Sequence, residues 1–297
     1  MVVVTVVGLG SMGYGMAQAL LRAGADVYGC DVDAGRMERL VREGGKQAPL
    51  AEAAGKSDIL VSVVLNAGQT ETVLFGQDGA AGALRKGAVI VSCATVPPDF
   101  ARDMAARAEA QGLHYLDAPI SGGSVKAAEG QLSIMASGTP SAFEAASPAL
   151  DAMAATVHRL GDEAGMGSAM KSVNQLLAGV HIAAMGEALS FAVTQGLDLR
   201  RVVDVISVSA GTSWMFENRA PHVVDADYTP RSAVNIWPKD LGIVAQIAER
   251  AGLPVPVTRA ALGQFRAAAE AGDGDTDEAA VTRVYTRAAG IKLPGDA

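Results

Sequence analysis

Lys171 occupies an unusual setting for a lysine. The stretch GMGSAMKSVNQLL (165–177) around it is rich in small and apolar residues. At helical spacing Asn174 shares its face, and His181 falls two turns beyond Asn174 on the same stripe. Desolvation in such surroundings lowers a lysine pKa toward the range useful for moving protons. The alternative is a lysine at a helix end that snorkels its ammonium to water. His181 suits a core or interface position as well as a catalytic one. A second cluster is DAPISGG (117–123), in which Ser121 offers a hydroxyl and Gly122 and Gly123 expose backbone N–H groups. Several such donors can converge on one carboxylate; an ordinary loop is the competing reading. A third cluster runs from Ser207 to Lys239 and includes Trp214, Phe216, Arg219, His222, Ser232 and Asn235. Such a mixture suits a polar ligand pocket or a subunit contact. Lys239 follows Pro238 where the pattern starts a helix, and a cation there opposes the helix dipole unless an anion is close.

These groups need elements to position them, and the first is at the start of the chain. Residues 2–13 read VVVTVVGLGSMG, a β-branched run broken by Gly8-Leu9-Gly10-Ser11-Met12-Gly13 and followed by a helical pattern. Strand, tight turn and helix N-terminus in that order form a dinucleotide pyrophosphate cradle. A second short strand ends in Asp31, eighteen residues after Gly13, where a carboxylate hydrogen-bonds the adenosine ribose. Asp31 favours NAD over NADP, while the nearby Arg36 weakens that preference.

Further strands are expected at 2–7, 26–31, 59–64, 88–92, 113–116, 131–136 and 155–159, alternating with helices near 12–23, 34–43, 97–111 and 140–151. Alternation of this kind implies a doubly wound parallel sheet, and its wholly apolar strands are those covered on both faces. Strand signals stop near Gly161. A helix from about 168 to 195 follows, then shorter helical pieces near 199–207, 213–225, 239–251, 257–270 and 276–288. The expected fold is thus α/β, with a Rossmann-type NAD-binding domain over 1–161 joined by a long helix to an all-helical substrate and dimerisation domain over 162–297.

With 297 residues, 49% of them hydrophobic, the chain has ample material for two cores. Its net charge of −8, with no basic cluster, argues against nucleic acid or an anionic membrane surface as partner. Cys30 and Cys93 each lie near a strand end and suit reduced core positions in a cytoplasmic protein. No basic segment precedes the first strand, so a secretory leader is not expected. The apolar stretch 176–193 contains His181, Glu187 and glycines and reads as a buried helix, not a membrane span. The four histidines have no metal-ligand spacing, and no metal is expected.

Taken together, GLGSMGYGMA (8–17), DAPISGG (117–123), GMGSAMKSVNQLL (165–177) and KDLG (239–242) resemble the β-hydroxyacid dehydrogenase family over nearly the whole chain. The resemblance implies an NAD-dependent oxidoreductase with Lys171 as proton donor and acceptor and Asn174 on the substrate. Ser121, Gly122 and Gly123 would hold the substrate carboxylate. Leu65, Asn66 and Thr95 would line the nicotinamide side, and Lys239 would close over the cofactor. The stretches 174–184, 213–219 and 222–242 resemble those members that oxidise L-threonate. Ser232 stands where many hydroxyisobutyrate-type relatives have Phe. With Asn235 and His181 it would suit a polyhydroxylated acid, since a site built to bond extra hydroxyls rejects analogues lacking them. Oxidation of 3-hydroxyisobutyrate, reduction of glyoxylate or tartronate semialdehyde, and a nonenzymatic NAD sensor are the alternatives. A homodimer or homotetramer through the helical domain is expected.

Overall fold

The computed structural model describes residues 1–295. By internal contacts the chain separates into two compact units, Met1–Lys171 and Ser172–Ala297. In the first unit, β1 (Val3–Val7), α1 (Ser11–Arg22), β2 (Asp26–Cys30), α2 (Ala34–Arg42), β3 (Lys46–Gln47), α3 (Leu50–Lys56), β4 (Ile59–Ser62), α4 (Ala67–Phe75), β5 (Val89–Ser92), α5 (Pro98–Glu109) and β6 (His114–Asp117) build a six-stranded sheet. All its strands are parallel, in the order β3-β2-β1-β4-β5-β6. The order reverses between β1 and β4, and ligands of such sheets bind at the carboxyl ends there.

The apolar strands are buried on both faces. In β4, Ile59 and Val61 enter one core layer with Val4, Val6, Val89 and Val91, while Leu60 enters the opposite layer with Ile90 and Tyr115. The turn after β1 needs glycine at two points. Gly8 has φ +90, and a Cβ on Gly13 would lie 1.9 Å from the Gly8 carbonyl oxygen, so α1 crosses the turn too closely for any side chain.

The strands expected at 131–136 and 155–159 form, but outside the parallel sheet. They are β8 (Leu132–Ala136) and β9 (Ala154–Arg159), which with β7 (Ile120–Ser121) make a separate three-stranded sheet. β7 runs antiparallel to β8, whereas β8 and β9 are parallel. Helices α6 (Gly123–Glu129) and α7 (Pro140–Met153) accompany this sheet.

α8 (Met166–Thr194) begins in the first unit and runs into the second, which also holds α9 (Leu199–Ile206), α10 (Trp214–Val224), α11 (Ile236–Arg250), α12 (Pro256–Ala268) and α13 (Thr282–Ala289). α8 is apolar and long enough to cross a membrane by length and composition alone. Within its unit it is a core helix: Ile182, Met185 and Leu189 are buried with Phe216, Trp237 and Phe265. At Gly179 and Gly186 it approaches Leu241, Trp237 and Thr282 closely. Trp237 stacks on Phe265 with ring centroids 5.3 Å apart. The helix expected from Lys239 starts three residues earlier, at Ile236, because Pro238 is accommodated within its first turn.

Candidate active site

A cavity of about 1290 Å³ opens at the carboxyl ends of β1, β2 and β4. Gly8, Gly10, Asp31, Leu65 and Asn66 line it, as do Arg36, Gln47 and Thr72. The Asp31 side chain is buried: Oδ2 accepts from the Leu9 N–H at 2.6 Å, and Oδ1 accepts from the Asp33 N–H at 2.9 Å. Arg36 stands 3.5 Å from Oδ2. The carboxylate therefore ties the glycine turn to the end of β2, a link that sequence spacing did not reveal. Ser11 and Met12 open α1, with Ser11 exposed and Met12 packed against the core. Asn66 caps α4 by accepting from the Gln69 N–H at 2.8 Å, and Thr95 lies half-buried after β5. A glycine turn that a Cβ would obstruct, a helix N-terminus beside it and a carboxylate at the end of β2 fit a dinucleotide. Cys30 also lines the cavity, and burial pushes its thiol up to about 11; Cys93 is pushed up to about 12 by burial and by Asp117. Both thiols are free, buried and unreactive at neutral pH.

Lys171 is buried at 8% exposure on the first turns of α8, and its Nζ donates to the Ile120 carbonyl oxygen at 2.8 Å. It is not a snorkelling lysine. Ile120 and Ser121 form β7, and Gly122 and Gly123 follow at the start of α6 with φ +136 and +81. The ammonium is thus anchored one residue from the Ser121-Gly122-Gly123 turn.

In the second unit a chain of polar contacts joins two residues from different motifs. Asn174 Nδ2 donates to Gln175 Oε1 at 2.9 Å, Gln175 Nε2 donates to Asp240 Oδ2, and Lys239 Nζ lies 2.8 Å from Asp240 Oδ1. Asp240 is buried, so the anion that Lys239 needed near a helix start is its own neighbour. Ser232 and Asn235 are engaged elsewhere. The Ser232 hydroxyl hydrogen-bonds Glu278, and Asn235 Nδ2 donates to Asp275 at 3.1 Å. Glu278 also accepts from Arg219 and, at 2.6 Å, from Trp237 Nε1. His181 is half-buried on α8 and makes no hydrogen bond among the described residues.

Fold and cofactor cradle together define a dinucleotide-dependent oxidoreductase, and its first unit also holds a buried lysine, Lys171. The family model for the NAD binding domain of 6-phosphogluconate dehydrogenase matches residues 3–161, and that for NAD-binding of NADP-dependent 3-hydroxyisobutyrate dehydrogenase matches residues 165–285. The chain is 47% identical over 293 residues to an L-threonate dehydrogenase of Cupriavidus necator, covering 98% of each chain. It is 45% identical over 294 residues to an L-threonate dehydrogenase of Escherichia coli K12, covering 98% of this chain and 96% of the other. A crystal structure of 3-hydroxyisobutyrate dehydrogenase from Salmonella typhimurium superposes with a TM-score of 0.91 at 47% identity, covering 95% of this chain and 99% of that one. The chain belongs to the β-hydroxyacid dehydrogenase family, and it is an NAD-dependent oxidoreductase of CH–OH groups.

Proposed function

We propose that this protein oxidises a small polyhydroxylated acid, L-threonate first, at C2 to the 2-oxo acid 2-dehydro-L-erythronate, with Lys171 accepting the hydroxyl proton. The observation that carries this reading is the burial of Lys171 with its Nζ on the Ile120 carbonyl, directly before the Ser121-Gly122-Gly123 turn. The Ser121 hydroxyl and the N–H groups of Gly122 and Gly123 hold the substrate carboxylate. Lys171 lies beside that anchor and takes the proton of the reacting hydroxyl. Asn174, one helical turn along α8, donates to a substrate oxygen and is oriented through Gln175 by Asp240. Bound NAD supplies the hydride acceptor. Gly8, Leu9, Gly10, Ser11, Met12 and Gly13 hold its pyrophosphate and Asp31 its ribose. Leu65, Asn66, Thr95 and Lys239 complete its surroundings. His181, Ser232 and Asn235 supply polarity for the remaining hydroxyls, and the last two must release Glu278 and Asp275 to do so.

The L-threonate dehydrogenases matched over almost the whole chain support this substrate, while the solved relative is a 3-hydroxyisobutyrate dehydrogenase. The two are separated by comparing kcat/KM for NAD reduction on L-threonate, 3-hydroxyisobutyrate and glycerate, and for NADH oxidation on tartronate semialdehyde. L-threonate should be preferred by about tenfold or more, the scale expected when a site bonds hydroxyls that a competitor lacks. Preference for a hydroxyl-poor acid would replace the proposal. The same reading takes a homodimer or homotetramer in the cytoplasm. It is supported by apolar side chains left exposed on the second unit, among them Phe191, Val208 and Trp214, and by two free buried thiols.

A further inference from the structure

Asp117 ends β6 and is 1% exposed, a carboxylate that the chemistry above leaves without a task. Its Oδ2 accepts from the N–H of Gly165 at 2.9 Å and of Ser168 at 2.8 Å, and more distantly from Ser137 Oγ at 3.4 Å. Its Oδ1 accepts from Ser168 Oγ at 2.7 Å. Ser137, paired to Asp117 through both backbone groups, accepts the Gly167 N–H on its own hydroxyl at 2.9 Å. The first N–H groups of a helix have no partner within it, and an acceptor there is most effective when negatively charged. Here the charged acceptor comes from a neighbouring strand instead of the helix's own cap. α8 approaches that strand so closely that a Cβ on Gly167 would lie 2.6 Å from the Asp117 carbonyl oxygen. Three residues after Ser168 comes Lys171, and three after Asp117 comes Ile120, whose carbonyl receives the lysine Nζ at 2.8 Å. Segment 117–120 and segment 168–171 are therefore bonded at both ends into one closed ring. The carboxylate turn begins at the next residue.

We propose that Asp117 is a positioning residue for catalysis: by gripping the start of α8 it sets the lysine amine in register with the substrate-carboxylate turn. This rests on the catalytic reading of Lys171. Without the grip, the Lys171–Ile120 bond is no longer braced from the start of α8, and the amine loses its fixed distance from the bound hydroxyl. Misplacement of about 1 Å can cost on the order of 10²-fold in rate. The cofactor cavity lies at β1, β2 and β4, away from this ring, and should not be affected.

The test compares Asp117→Ala, Asp117→Asn and Lys171→Ala in the full-length protein, measuring kcat and KM for L-threonate with NADH affinity by fluorescence. Asp117→Ala should lower kcat on the order of 10²-fold and raise KM, with NADH affinity within about twofold of the parent. Asp117→Asn keeps one oxygen, whose two lone pairs can accept the Gly165 and Ser168 N–H groups, while its NH2 can donate to the Ser168 hydroxyl, and it should recover most of kcat. A kcat for Asp117→Ala within about threefold of the parent would overturn the proposal, as would parallel loss of NADH binding, which marks a purely structural role. Should Asp117→Ala not fold, Ser168→Ala removes one anchor and leaves the backbone bonds. A severalfold fall in kcat then supports the proposal, and an unchanged kcat contradicts it. Lys171→Ala separates the two claims, because a full kcat in that variant removes the catalytic reading itself.

Discussion

At the scale of single residues, the site depends on buried charges that already have partners. Asp31 illustrates this. Its carboxylate orients the glycine turn through Leu9 and also holds Arg36 close, so one group shapes the cradle and restrains the cation that a 2′-phosphate would use. Asp31→Ala should raise KM for NAD by about tenfold or more, as expected for loss of a hydrogen bond to a charged group. It should also narrow the preference for NAD over NADP by freeing Arg36. Steady-state kinetics with both cofactors checks this, and a preference for NADP in the intact protein would contradict the role given to Asp31. Lys239 shows how far residue-level electrostatics was legible. In sequence, its odd place near a helix start points to the bound cofactor, whereas the anion found beside it is its own neighbour, Asp240, at 2.8 Å. Ser232 and Asn235 were less legible, because a polar side chain in sequence does not disclose whether a carboxylate distant in the chain already engages it.

At the scale of elements, the closest fit is between α1 and the turn after β1. A methyl on Gly13 would sit 1.9 Å from the Gly8 carbonyl, and neither backbone can yield without moving the strand or the helix. Gly13→Ala should cost about 1–3 kcal/mol or more, as overpacking does, lowering the melting temperature by several degrees and weakening NAD binding. An unchanged melting temperature would show that the turn has more room than the structure indicates. The long elements were legible because their patterns are strong: β1, β2, β4 and β5 are nearly continuous apolar runs, and α8 spans 29 residues. The short ones were not. β3 and β7 have two residues each, and α3 and α6 have seven, too few for a period to stand out. The second sheet was hidden for another reason. β8 and β9 carry ordinary strand patterns, and only their pairing, which depends on contacts distant in sequence, removes them from the parallel sheet.

At the scale of the whole molecule, each unit has its own core, and the helical one also encloses charge. His222 Nδ1 lies 2.9 Å from Asp277 Oδ1, and Arg219 pairs with Glu278. Burial works against ionised Asp277, but hydrogen bonds from His222 and from the N–H groups of Ala279 and Arg231 outweigh it and hold the carboxyl below its usual range. Its stabilising effect is therefore in place above the ordinary aspartate value of about 4 and is lost as pH falls through the lower folded value. Melting curves from about pH 5 to about pH 3 should show a shallower acid decline for Asp277→Asn than for the parent, once the variant's lower starting stability is allowed for. Equal declines would contradict this. The comparison isolates Asp277 from Asp117 and Glu278, whose carboxyls burial pushes up and whose contributions have the opposite sign. Neither unit's stability depends on the reaction, so the chemistry must be tested at its own centre. The most direct measurement is kcat for L-threonate oxidation by Lys171→Ala, with NADH affinity determined on the same preparation. The account predicts a fall of about 10²-fold or more with cofactor affinity nearly intact, as loss of a general base requires; an unchanged kcat would contradict it.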